Sequence, residues 1–298
     1  MKKLLMFCWL SGVSLGIHAS EPITREDGSE ITYYLKKGTD DALLILMQGS
    51  DCNSVAHNDN INRQFSQVMA QADILTVEKY GITAQLPWNP NPERQDCPAA
   101  YLRHDSPAQR AQDYLKVLQT IHAAQGYQRI VVLGGSEGAL VAQMLAQETD
   151  LISHVIALNG GGRFFLDDVL FNMKSQMPPE AYPEAEAGFR QFASQVTQSD
   201  AMELTMSGHG FPWWKSMFTL DQQQLLSAID VPVLLMQGAK DTQVDPAAFS
   251  AMTDRLKSSK PNLMTTLYPD LDHGFRDPQG QSQAGQVVRD IRHWLERK

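Results

Sequence analysis

A mostly parallel β-sheet with helices on both faces and a helical cap insertion is the fold class that this 298-residue α/β chain predicts. Three observations carry the prediction. Short apolar runs alternate with longer segments of helical period through most of the chain, the pattern of strands joined by crossover helices. A glycine-rich turn, Gly134-Gly135-Ser136-Glu137-Gly138-Ala139, joins one such run directly to one such helix. Between Gly162 and Asp230 the alternation stops, and a stretch rich in glutamine and aromatics intervenes.

Strands are expected at 31–35, 42–47, 74–78, 129–133, 153–158, 231–236 and 264–268, each an apolar or β-branched run. Helices are expected at 60–71, 106–125, 137–148, 246–258 and 283–296. The second is the clearest, with Ala111, Tyr114, Leu115, Leu118 and Ile121 on one stripe and Pro107 in its first turn. In the third, Leu140, Met144 and Leu145 are expected to face the sheet. The insertion, at about 163–229, contains Met177-Pro178-Pro179 and Phe211-Pro212-Trp213-Trp214, and reads as helical. Such a segment can lie over the carboxyl edge of the sheet, where open α/β sheets bind ligands.

Lys2 and Lys3 followed by apolar residues 4–17 and by Ile17-His18-Ala19 read as a signal peptide over 1–19, leaving 20–298 as a single domain. A retained membrane anchor is the rival reading. Ser11, Gly12, Ser14 and Gly16 interrupt a stretch already short for a spanning helix, and no other segment is suited to a bilayer. The protein is therefore expected to be exported, periplasmic or secreted. Loss of Lys2 and Lys3 moves the formal net charge from −9 to −11, a poor match to nucleic acid or anionic membranes. Cleavage also removes Cys8 and leaves Cys52 and Cys97, an even pair that predicts a disulfide in an oxidising compartment.

The turn at Ser136 has the layout of a nucleophile elbow. Gly134 and Gly138 allow a strained serine backbone, and Ala139 keeps the next helix close to the sheet. The helix begun by Glu137 aims its free backbone N–H groups at the serine hydroxyl, where an oxyanion would develop. A serine nucleophile needs a base and an orienting acid. Asp241 follows the run Val231-Pro232-Val233-Leu234-Leu235-Met236, and His273 follows Thr265-Thr266-Leu267-Tyr268. All three therefore fall just past strand ends and can converge on one edge of a parallel sheet.

On the elbow, the acid loop Gly238-Ala239-Lys240-Asp241-Thr242 and the histidine loop Asp272-His273-Gly274-Phe275, the chain resembles the α/β-hydrolase superfamily. The loops are similar to those of the dienelactone hydrolase, acyl-transferase/thioesterase and prolyl-oligopeptidase-like branches. The resemblance implies a Ser-His-Asp hydrolase without a cofactor or metal. It also implies a second oxyanion donor from the loop Gln48-Gly49-Ser50-Asp51-Cys52, where glutamine replaces a common histidine. The backbone N–H of Glu137 is the first donor, and that of Ser50 or Asp51 the second.

Asp245 is a rival acid, but it precedes Pro246 and suits a helix start. His209-Gly210-Phe211 repeats the look of the histidine loop, so His209 is a rival base. Asp270 and Asp272 read as turn residues. The remaining histidines, His57, His104, His122, His154 and His293, lack metal-ligand spacing. Phe164, Phe165, Phe171, Met173, Met177, Phe211, Trp213, Trp214 and Phe218 either line an apolar pocket or pack the cap. Gly160-Gly161-Gly162 suits a close backbone approach, and Arg163 is a candidate partner for a substrate carboxylate. The expected activity is hydrolysis of a carboxylic ester or related acyl bond, on a small-molecule acyl or peptide substrate. A peptidase or amidase of the same fold, and a hydrolase-fold binding protein without turnover, are the alternatives.

Overall fold

The computed structural model describes residues 22–91 and 94–297, so the signal peptide expected at 1–19 lies outside the described residues. The strands are β1 (Tyr33–Lys36), β2 (Ala42–Met47), β3 (Asp73–Val77), β4 (Arg129–Gly135), β5 (His154–Leu158), β6 (Thr205–Met206), β7 (His209–Gly210), β8 (Val233–Gly238) and β9 (Leu263–Tyr268). Seven of them form one sheet in the order β1-β3-β2-β4-β5-β8-β9, while β6 and β7 make a separate hairpin. Every pairing in the large sheet is parallel except the edge strand β1, which runs antiparallel to β3. The expected strands all form, with ends displaced by up to two residues.

The helices are α1 (Ala99–His104), α2 (Pro107–Gln125), α3 (Glu137–Glu148), α4 (Phe165–Gln176), α5 (Tyr182–Gln198), α6 (Phe211–Thr219), α7 (Gln222–Ser227), α8 (Pro246–Leu256) and α9 (Ala284–Leu295). Strand β2 is buried along its whole length, as a central strand covered on both faces must be. Its Leu43, Ile45 and Met47 join the apolar layer beneath α2, α3 and α8, while Leu44 and Leu46 join the layer beneath α9. Burying each of these side chains stabilises the fold by roughly 1.5–3 kcal/mol. Helix α2 starts at Ser106, whose hydroxyl accepts from Gln109 N–H at 3.1 Å, and stops at Gly126 in the left-handed conformation.

Two expectations change. The helix expected at 60–71 is instead a π turn (Asn60–Gln64) followed by a 3-10 turn (Phe65–Met69). Short polar side chains compete with the helical ladder there: Asn62 Nδ2 donates to Val55 O, and Ser66 Oγ donates to Asn62 O. Ile61 and Val68 still turn inward onto the sheet. In α3, Leu145 faces the sheet layer as expected, with Met144 against its rim, but Leu140 packs with Trp213, Trp214 and Met217 beneath the insertion.

Between β5 and β8 run α4 to α7 and the small hairpin. Phe165, Phe189, Phe192, Trp213, Trp214 and Phe218 form a connected aromatic cluster that holds these helices together. No helix among the described residues is long and apolar enough to cross a membrane.

Cys52 and Cys97 form a disulfide, with Cα atoms 5.8 Å apart across 45 residues of sequence. It fastens the loop after β2 to the segment leading into α1, against buried Ile82 and Tyr101. Closing a loop of that length restricts the unfolded chain, so reducing the bond is expected to lower the unfolding free energy by about 4 kcal/mol. Urea denaturation with and without reductant reads the difference, and coincident curves would show that the bond contributes nothing.

Candidate active site

The strand-to-helix turn after β4 sets Ser136 at φ 55° and ψ −126°, a region that L residues occupy at a cost of order 1–3 kcal/mol. The neighbouring glycines make the turn possible. A Cβ on Gly134 would lie 1.9 Å from Gly138 O, and one on Gly138 would lie 2.3 Å from Met47 O. Helix α3 can therefore start directly against the end of β2. Its unsatisfied N-terminal N–H groups and the positive end of its dipole gather beside the serine.

His273 and Asp241 arrive from the loops after β9 and β8. His273 Nδ1 lies 2.7 Å from Asp241 Oδ2. A carboxylate only accepts, so the proton sits on Nδ1 and the Nε2 lone pair is free to accept another. The Asp241 side chain is fully buried. Its Oδ1 accepts from the backbone N–H of Gln243 at 2.8 Å and Val244 at 3.1 Å, and its Oδ2 also accepts from Gln237 Nε2 at 2.9 Å. Four donors thus hold a carboxylate that water does not reach. Ser136 and His273 line the same cavity, of about 350 Å³.

Asn159, which the sequence did not single out, clamps this arrangement. At φ 48° just past β5, its Nδ2 donates to His273 O at 2.7 Å and its Oδ1 accepts from Gly238 N–H at 2.8 Å. Its backbone N–H donates to Met236 O. An asparagine between a strand and Gly160-Gly161-Gly162 was the available signal, since Asn tolerates left-handed backbone better than most residues.

Buried charge organises the loop after β2. Lys79 Nζ donates to Gly49 O at 2.7 Å and to Asp51 O, and Arg110 donates to Gln48 O at 2.7 Å. In a trans peptide the carbonyl and the next N–H point in opposite directions. Drawing Gly49 O toward Lys79 therefore turns the Ser50 N–H away from it. Ser50 lines the cavity beside Ser136. Burial lowers the Lys79 ammonium pKa, with Asp51 nearby opposing the shift.

The Glu137 side chain turns inward rather than into the site. Arg110 donates to it at 2.5 Å and Trp213 Nε1 at 2.6 Å. Burial alone would raise its pKa, but the charges of Arg110 and Lys79 bring it below the ordinary value. Asp105 lies in the same region, where burial and the Glu137 charge push it up to about 7.

The rival residues fall elsewhere. Asp245 caps α8 through Ala247 N–H. Asp272 Oδ1 accepts from Gly274 and Arg276 N–H, a turn role. His209 is buried, with Nδ1 3.0 Å from Tyr101 Oη and its ring stacked on Trp213 at 3.7 Å. Burial pushes its imidazole pKa down to about 4, and it lines neither cavity beside Ser136. Arg163, a candidate partner for a substrate carboxylate, pairs with Asp221 at 2.6 Å on the lining of the smaller cavity. Among the described residues no cluster of His, Cys, Asp and Glu is arranged to hold a metal.

A parallel sheet whose elbow serine, acid loop and histidine loop meet at one edge defines an α/β-hydrolase. Residues 99–298, more than half of the chain, match the model of the prolyl oligopeptidase family, and the chain belongs to that family. No curated protein matches by sequence. An esterase of Pyrococcus furiosus has a similar structure, with 17% identity, TM-score 0.62, and 92% of this chain matched to 88% of that one. Est1E from Butyrivibrio proteoclasticus, with ferulic acid bound, is similar at 14% identity and TM-score 0.60, over 93% of this chain and 98% of that one. The acylaminoacyl peptidase of Pyrococcus horikoshii is similar at 12% identity and TM-score 0.60; 92% of this chain matches only 40% of that one.

Removing Arg110 would leave the Glu137 carboxylate buried and uncompensated. Arg110→Met is expected to lower the unfolding free energy by about 3–5 kcal/mol. Arg110→Met combined with Glu137→Gln is expected to recover part of that loss. Equal stability of the two variants in urea would contradict the pairing.

Proposed function

We propose that the protein is an exported serine hydrolase that cleaves carboxylic esters or related acyl bonds through an acyl-enzyme. The observation that carries this reading is the buried Asp241 bonded to His273, which lines one cavity with the strained Ser136 at the head of α3. His273 Nε2 takes the Ser136 proton as Oγ attacks the carbonyl, and Asp241 stabilises the imidazolium that forms. The carbonyl electrons move onto oxygen, which accepts from the N–H groups of Glu137 and Ser50. The tetrahedral intermediate collapses, His273 returns the proton to the leaving group, and a water activated by the same imidazole releases the acid.

Lining chemistry favours an ester over a peptide. Among the described residues Asp51 is the one ionisable side chain besides His273 on the larger cavity, and Gln48 Nε2 and Asn53 N–H already donate to it. That wall offers no cation to a peptide carboxylate. Ile61, Phe65, Trp88 and Phe275 supply apolar surface instead. Family membership keeps a peptidase or amidase as the second reading, because amide cleavage uses the same groups. The Cys52–Cys97 bond supports export to an oxidising compartment.

A fluorophosphonate probe is expected to label the wild-type protein and spare Ser136→Ala. His273→Ala and Asp241→Asn are expected to lower kcat on p-nitrophenyl esters by about 10³-fold or more, with the base costing at least as much as the acid. An unlabelled but folded wild-type protein would favour a binding protein without turnover. Faster cleavage of aminoacyl nitroanilides than of esters would favour the peptidase.

A further inference from the structure

Two cavities of very different size meet at Ser136. The larger, of about 350 Å³, contains His273, Gly274 and Phe275. The smaller, of about 50 Å³, lies on the insertion side and is walled by Leu140, Phe165, Trp213, Met217 and Leu220. Ser50, Ser136 and Asn159 border both.

The reaction assigns a different half of the substrate to each. His273 must protonate the leaving atom, so the leaving group occupies the cavity that His273 lines. The substituent on the carbonyl carbon then extends the other way, past Ser50 and Glu137, into the small cavity. We propose that the protein selects esters with a short, uncharged acyl group, joined to a bulky apolar or aromatic leaving group. This inference rests on the serine-hydrolase reading above.

Volume sets the upper limit. At about 50 Å³ against about 350 Å³, the small cavity is roughly one-seventh of its neighbour, and Leu140, Phe165, Trp213, Met217 and Leu220 wall it. The larger cavity accommodates a ring, against Phe65, Trp88 and Phe275. Chemistry sets the charge. Each ionisable side chain on the small cavity already has protein partners. The Asp168 carboxylate accepts from the N–H groups of Gly162 and Asp245, and Arg163 is paired with Asp221. The Glu137 carboxylate is held by Arg110 and Trp213. Among the described residues Arg163 is the one cation on this lining and is engaged by Asp221, while two carboxyl groups beside the cavity disfavour an anionic acyl chain.

The wall is also fixed rather than open-ended. Trp213 is anchored by its Nε1 edge to Glu137, and its ring is stacked on His209. Phe165 packs edge-on against Trp213, with ring centres 5.4 Å apart. Lengthening the acyl chain therefore requires displacing a packed aromatic cluster.

The test is a p-nitrophenyl ester series from acetate to decanoate, with wild-type protein, Ser136→Ala, Leu140→Ala and Met217→Ala. The wild type is expected to show its highest kcat/KM between acetate and butyrate, falling by about 100-fold or more at octanoate. Leu140→Ala shortens the wall and is expected to raise the hexanoate-to-acetate ratio at least tenfold over wild type. Met217→Ala gives the same readout from the cap side should Leu140→Ala fail to fold. Equal rates on octanoate and acetate, lost in Ser136→Ala, would overturn the cavity assignment while leaving the serine-hydrolase reading intact. A short-chain optimum that neither wall variant moves would also overturn it. Hydrolysis that persists in Ser136→Ala, or none at any length, would overturn both.

Discussion

The buried contact of Arg110 with Glu137 is the constraint on which the rest of the site depends. Glu137 is the residue after the elbow serine, and Arg110 belongs to the long helix α2 behind it. Through its second nitrogen Arg110 also holds Gln48 O, and through its second oxygen Glu137 also holds Trp213 of the insertion. One ion pair thus joins a core helix, the elbow, the loop after β2 and the cap. An isolated buried charge costs several kcal/mol, so these four pieces have little freedom to move independently.

The same buried cations give the loop its polarity. Arg110 and Lys79 draw three carbonyls, those of Gln48, Gly49 and Asp51, to the inner side. Carbonyls drawn inward leave N–H groups facing the other way, which is the arrangement a developing oxyanion requires. Glycine at position 138 lets α3 start against the end of β2, which brings its own N–H groups beside Ser136. Strain at Ser136, a fixed carboxylate at Asp241 and an inward-turned loop are parts of one preorganised electrostatic environment.

Much of this was legible in the sequence because it depends on local pattern. The apolar run, the flanking glycines and the helix start specify the strand-to-helix turn at Ser136 within a few residues, and strand ends specify that Asp241 and His273 lie in loops at the same edge of the sheet. What was not legible depends on three-dimensional pairing. Lys79 and Arg110 look like ordinary surface cations until their carbonyl and carboxylate partners are brought to them across 27 to 62 residues of chain. Leu140 belongs to a helix whose period predicts a face toward the sheet, yet the insertion adds a second apolar surface on the other side. Residues 60–71 carry a helical pattern that their Asn and Ser side chains divert into tighter and wider turns.

In the proposed reaction Ser136 attacks while the N–H groups of Glu137 and Ser50 hold the oxygen. A crystal structure of the protein after reaction with a small alkyl fluorophosphonate tests it most directly. Phosphorus is expected on Ser136 Oγ, with its phosphoryl oxygen within hydrogen-bond distance of both N–H groups and the alkyl substituent in the small cavity beside Leu140. An adduct on another residue, or a phosphoryl oxygen turned away from the head of α3, would contradict it.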